Sequence, residues 1–124
     1  MVSPRTARLL LVGVAASLLP ACSAGVEPAG AGAGTATRSV ELVVQGGQVT
    51  GDTGVVEVAA GERVAVTVTS DVADEVHVHG PGDGASADVD AGGTVTVEVV
   101  QSAPGEYEVE LEQAQRLLTR LRVR

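Results

Sequence analysis

The stretch "VVEVAAGERVAVTVTS", Val55 to Ser70, decides the fold. Within it Val64, Val66 and Val68 fall on one face of an extended chain, and Ala65, Thr67 and Thr69 on the other. Successive side chains point to opposite faces of a strand, so this is the signature of a half-buried strand. The segment "GGTVTVEVV" repeats it, setting Val95, Val97 and Val99 against Thr94, Thr96 and Glu98, and "VELVVQ" from Val40 reads as another short strand. Glycine-rich breaks at "QGG", "TGDTG", "AAGE", "HGPGDG", "AGG" and "APGE" separate the runs. Six or more short strands spaced about 8 to 12 residues apart, with Gly or Pro between them, predict an all-β sandwich.

The C-terminal segment fits two periods. Leu111, Ala114, Leu117, Leu118 and Leu121 make a helical stripe. Charge favours a hairpin instead: Glu106, Glu108, Glu110 and Glu112 alternate with Tyr107, Val109 and Leu111, while Arg120, Arg122 and Arg124 alternate with Leu121 and Val123. A turn at "QAQR" would lay the Glu row across from the Arg row, with Tyr107, Val109, Leu111, Leu121 and Val123 facing inward.

Sixteen acidic and eight basic residues in 124 give a formal charge of −8. That charge argues against nucleic acid and against an anionic membrane surface as partners. Apolar content comes almost wholly from Val, Leu and Ala, with no Phe, Trp or Ile, so the core has no large aromatic anchor.

The first residues read as a targeting segment. Arg5 and Arg8 precede the apolar run "LLLVGVAASLL", Leu9 to Leu19, which is shorter than the roughly 20 residues needed to cross a bilayer. It ends in "LPAC", Leu19 to Cys22, which resembles the lipobox of bacterial lipoproteins, with Pro20 where a small or hydroxylated residue is commoner. The resemblance implies that residues 1–21 are a signal peptide and that Cys22 becomes the acylated first residue of the mature chain. Cys22 is the sole cysteine, so no internal disulfide is available. Residues 22–37, dominated by Ala and Gly after the cysteine, form an expected flexible tether, leaving residues 38–124 as one small domain.

"VTSDVADEVHVHG", "APGEYEVEL" and the closing "LRVR" together resemble the cupredoxin-like domain of lipid-anchored actinobacterial proteins. The resemblance implies a Greek-key β-sandwich at the extracytoplasmic face of the cell membrane. It does not imply electron transfer, because fold and function separate. Blue-copper members pair an early His with a Cys, a second His and usually a Met near the C-terminal hairpin. His77 resembles the first of these, but Leu111 stands where the thiolate is expected and Glu112 where related domains carry a His.

What remains is His77-Val78-His79. Residues two apart on a strand share a face, with Cα atoms about 6.5 to 7 Å apart, so both imidazoles can converge on one ion. Imidazole suits copper and zinc. Further oxygen donors would come from Asp71, Asp74, Glu75, Asp83 or Glu112. The pair is expected near an end of the sandwich, where the "GPGDG" loop leaves room for an ion. Affinity should fall with pH through about 6.5, the ordinary histidine pKa. The plainer alternative is that both imidazoles are strand residues hydrogen-bonded to neighbouring Asp and Glu, while Val76 and Val78 pack inward.

Other constellations are weaker. Asp71, Asp74 and Glu75 lack the calcium-loop spacing and read as a solvated turn. Ser70, Asp74 and His77 crowd into eight residues without a nucleophile elbow. "GPGDGAS" lacks the Gly-Lys-Ser/Thr of a phosphate loop. The expectation is therefore a monomeric, lipid-anchored, non-enzymatic module binding a copper-like ion weakly through His77 and His79. The alternative is a metal-free module that docks on another envelope protein, for which scattered imidazoles and an exposed apolar or acidic patch are expected.

Overall fold

The computed structural model describes residues 37–124, and the signal segment, Cys22 and most of the tether lie outside them. Nine strands follow in order: β1 Thr37–Gln45, β2 Gln48–Gly51, β3 Gly54–Val58, β4 Arg63–Ser70, β5 Asp74–Val78, β6 Ala85–Val89, β7 Gly93–Val100, β8 Gly105–Leu111 and β9 Arg116–Val123. Among the described residues there is no helix. One sheet has the order β2-β1-β4-β7 and the other β3-β9-β8-β5-β6. Only β1–β2, β5–β6 and β8–β9 are sequential neighbours within a sheet; the remaining connections cross between the sheets, as in a Greek-key sandwich. Both sheets are mixed, since β1 runs parallel to β4 and β3 parallel to β9.

The alternating valines make the core. Val40, Leu42 and Val44 of β1, Val64, Val66 and Val68 of β4, and Val97 and Val99 of β7 face Val76, Val78, Val109, Leu111, Leu121 and Val123 of the opposite sheet. The largest fully buried side chains are Leu42, Leu111 and Leu121, so branched aliphatic groups fill most of the interior, with Ser70, Asp74, Gln101 and Thr119 as its buried polar residues. On the outer face of β4 and β7 the threonines form cross-strand pairs, Thr67 with Thr96 and Thr69 with Thr94, their hydroxyl oxygens 3.0 and 2.8 Å apart.

The C-terminal segment is the expected hairpin and not a helix. Glu106 lies opposite Arg122 and Glu108 opposite Arg120, and both pairs are ion-paired. The turn runs over residues 112–115, where Gln115 adopts a left-handed backbone with φ 48°. The Arg row is less regular than its spacing suggested. Arg124 reaches Glu57 of β3 instead of the Glu row, and a bulge between Val109 and Glu110 shifts the register so that Glu110 faces Leu117. Glu110 would face Leu118 without this shift and faces Leu117 with it, so in neither register does it lie opposite an arginine, and its side chain is left for other partners.

Candidate metal centre

Strand β5 buries Val76 and Val78 and so turns His77, together with the flanking His79, to the outer face of its sheet. Its neighbour β8 runs antiparallel, with His77 directly across from Glu110. The side chains pair diagonally. His79 Nε2 lies 2.6 Å from Glu110 Oε1, and His77 Nδ1 lies 3.1 Å from Glu112 Oε2. The two rings stack with centroids 4.6 Å apart and planes 15° from parallel. One ligand atom from each of His77, His79, Glu110 and Glu112 falls within 4.8 Å of all the others.

Two further sets of contacts hold the cluster. Asp74, at the start of β5, is buried and accepts the backbone N–H groups of Glu75 and Gln113 on Oδ1 and of Ala114 on Oδ2. Together with the Glu112 N–H, which donates to the Glu75 carbonyl at 2.9 Å, it fixes the turn that presents Glu112. The expectation of a solvated turn at Asp74 is thus corrected: the carboxylate is a buried clamp between β5 and the β8–β9 turn. On the other side, the loop after β5 folds back so that the Asp83 carbonyl accepts from His77 Nε2 at 2.9 Å. That loop does not stand clear of the imidazole, as "GPGDG" suggested, but closes against it. A Cβ on Gly84 would overlap the Val78 carbonyl and lie 3.1 Å from His77 Nε2, and φ there is +70°.

Of the oxygen donors expected from sequence, only Glu112 joins the cluster. Asp71 instead accepts the Gly46 N–H at 2.7 Å, Asp74 is consumed by the turn, Glu75 stays outside the set, and Asp83 approaches through its backbone carbonyl rather than its carboxylate. Glu110 was missed as a donor because its place in the Glu row assigned it to arginine. The signal that would have found it is the β5–β8 register, which the sequence does not carry.

The carboxylate of Glu112 beside Nδ1 raises the His77 pKa above its ordinary value of 6.5; the Asp83 carbonyl adds to this and desolvation opposes it. The side chain of His77 is 20% exposed and that of His79 46% exposed, so the cluster is reachable from solvent. The donor set does not fit a blue-copper centre. Leu111 points into the core opposite Val76, while His77 points out of the sheet, so the thiolate position and His77 do not share a face. Two imidazoles and two carboxylates do fit a divalent ion that accepts nitrogen and oxygen.

No known protein family matches the sequence, and no curated protein does. Solved structures do match. A copper binding protein solved by NMR in the apo form is 15% identical, with a TM-score of 0.53 over 71% of this chain and 88% of its own. The metal binding domain of the Streptococcus pneumoniae D39 Cu(I)-exporting P-type ATPase CopA, with Cu(I), is 8% identical, with a TM-score of 0.52 over 73% of this chain and 97% of its own. The blue copper oxidase from Nitrosomonas europaea is 14% identical with a TM-score of 0.56; the match covers 72% of this chain but 44% of the oxidase. The fold is a cupredoxin-like β-sandwich, as the resemblance implied.

Proposed function

We propose that this protein is a monomeric, lipid-anchored, extracytoplasmic module that binds a copper-like ion weakly through His77 and His79, with Glu110 and Glu112 completing the site. The observation that carries this reading is the convergence of four donor atoms within 4.8 Å, drawn from β5, β8 and the β8–β9 turn. The contacts that satisfy the imidazoles as ordinary strand residues are the same ones that bring the carboxylates into coordination range. Neighbours whose names record copper binding support the choice of metal. The stacked imidazoles favour this reading over the metal-free docking module, for which scattered imidazoles were expected. The anchor rests on the signal segment and the lipobox-like "LPAC". In this reading the protein binds and does not catalyse, and its acidic charge directs it to no nucleic acid. Calorimetric titration of the purified chain with Cu(II) and Zn(II) tests the metal. Heat with saturation near one ion per chain is expected, and no heat at neutral pH would leave the docking module.

A further inference from the structure

Resting on the metal-binding reading above, we infer that the site selects a divalent ion over Cu(I), and that His77 offers this ion Nδ1 rather than Nε2. The choice of nitrogen follows from Asp83. A backbone carbonyl oxygen only accepts, so the 2.9 Å contact from His77 Nε2 places a proton on that nitrogen. In the neutral ring the lone pair then sits on Nδ1, the atom that faces Glu112 Oε2 at 3.1 Å. Metal-bound imidazoles generally donate their other N–H to a carbonyl or carboxylate, which fixes the tautomer and the ring orientation. Here that partner is supplied by the loop after β5, held close by Gly84, where a Cβ has no room. His79 contributes Nε2, beside Glu110 Oε1.

The selection follows from the donors. Two imidazole nitrogens and two carboxylate oxygens match Cu(II), Ni(II) and Zn(II), whereas Cu(I) prefers thiolate and thioether sulfur. Neither sulfur-bearing residue of the chain, Met1 or Cys22, is among the described residues. Charge works in the same direction, because two carboxylates neutralise a divalent ion and leave a monovalent one with an excess negative charge. Among divalent ions, the general order of affinities puts Cu(II) ahead of Zn(II).

Two measurements on the purified full chain test this. The first follows the imidazole nitrogens by 15N-correlated NMR as Zn(II) is added. The Nδ1 signal of His77 and the Nε2 signal of His79 should move, while the His77 Nε2–H persists. Zinc bound at His77 Nε2, with loss of that proton, would overturn the assignment. The second compares Cu(II) with Cu(I), the latter anaerobically against a Cu(I)-selective chelator. Retention of Cu(I) that depends on His77 and His79 should be weaker than that of Cu(II) by about tenfold or more. The His77→Ala and His79→Ala variants separate it from any Cu(I) held at Cys22. Equal His-dependent retention of both oxidation states would overturn the selectivity. A chain that responds to neither Zn(II) nor Cu(II) would instead remove the metal reading itself.

Discussion

Asp74 Oδ1 accepts the backbone N–H of Gln113 at 2.9 Å, tying the first residue of β5 to the turn that carries Glu112. With the Glu75 and Ala114 N–H groups also bound to it, this buried carboxylate joins the strand bearing the imidazoles to the hairpin bearing their partners. Replacing Asp74 by Ala removes the charged acceptor from three part-buried N–H groups, and a hydrogen bond to a charged group contributes about 1.5–3 kcal/mol. Urea unfolding should report a loss of that size, and Zn(II) affinity of the folded fraction should drop with it. Unchanged stability and affinity would mean that the turn holds itself.

Proton and metal compete for His77 Nδ1. The folded pKa of His77 is raised above 6.5, so the His77–Glu112 pair stabilises the metal-free fold fully below the unfolded pKa, and that contribution is lost as pH rises through the folded value. Metal binding runs the other way, because Nδ1 must lose its proton, and affinity should start to fall at a pH above the 6.5 that composition alone suggested. Thermal melts of the metal-free chain and of its His77→Ala variant from pH 5 to 9 check the first statement. A variant with the same pH dependence as the parent would contradict it.

Gly84→Ala tests the loop. The added methyl has to displace the segment that delivers the Asp83 carbonyl, at a backbone angle that alanine rarely adopts. Zn(II) affinity is expected to weaken severalfold, with the sandwich still folded by circular dichroism. Wild-type affinity would show that Asp83 does not orient the ring.

The hairpin ion pairs are expected to matter little beside the core. Glu108 and Arg120 are both partly exposed to solvent, and a double-mutant cycle on such a surface pair typically returns about 0.2–1 kcal/mol. Leu111→Ala should cost about 2–5 kcal/mol, since the side chain is fully buried and the site can collapse only in part. A cycle energy that rivals the Leu111 effect would refute this ranking.

Membrane attachment is tested by Cys22→Ser. Each buried methylene of an acyl chain contributes about 0.8 kcal/mol, so if Cys22 carries more than one acyl chain, the protein should sediment with membranes and the variant should be released. Equal fractionation of the two would exclude the lipid anchor.

The strands were legible because a period of two in Val, as at Val64, Val66 and Val68, leaves little choice of conformation. The hairpin was legible from the complementary Glu and Arg rows. The site was only half legible. His77 and His79 share a face by spacing alone, but Glu110 enters through the β5–β8 register, which is set by tertiary pairing. Asp74 looked like one member of an acidic turn, because nothing local reveals that two of the three N–H groups it satisfies lie 39 and 40 residues away.

In the proposed reading His77 and His79 hold one ion together. Equilibrium dialysis of the purified chain against micromolar Cu(II) at neutral pH, with the metal counted by atomic spectroscopy, tests it most directly. One ion per chain is expected, most of it lost in His77→Ala and again in His79→Ala, with both variants still folded because Val76 and Val78 carry the packing of β5. No retained metal, or equal retention after both imidazoles are removed, would contradict it.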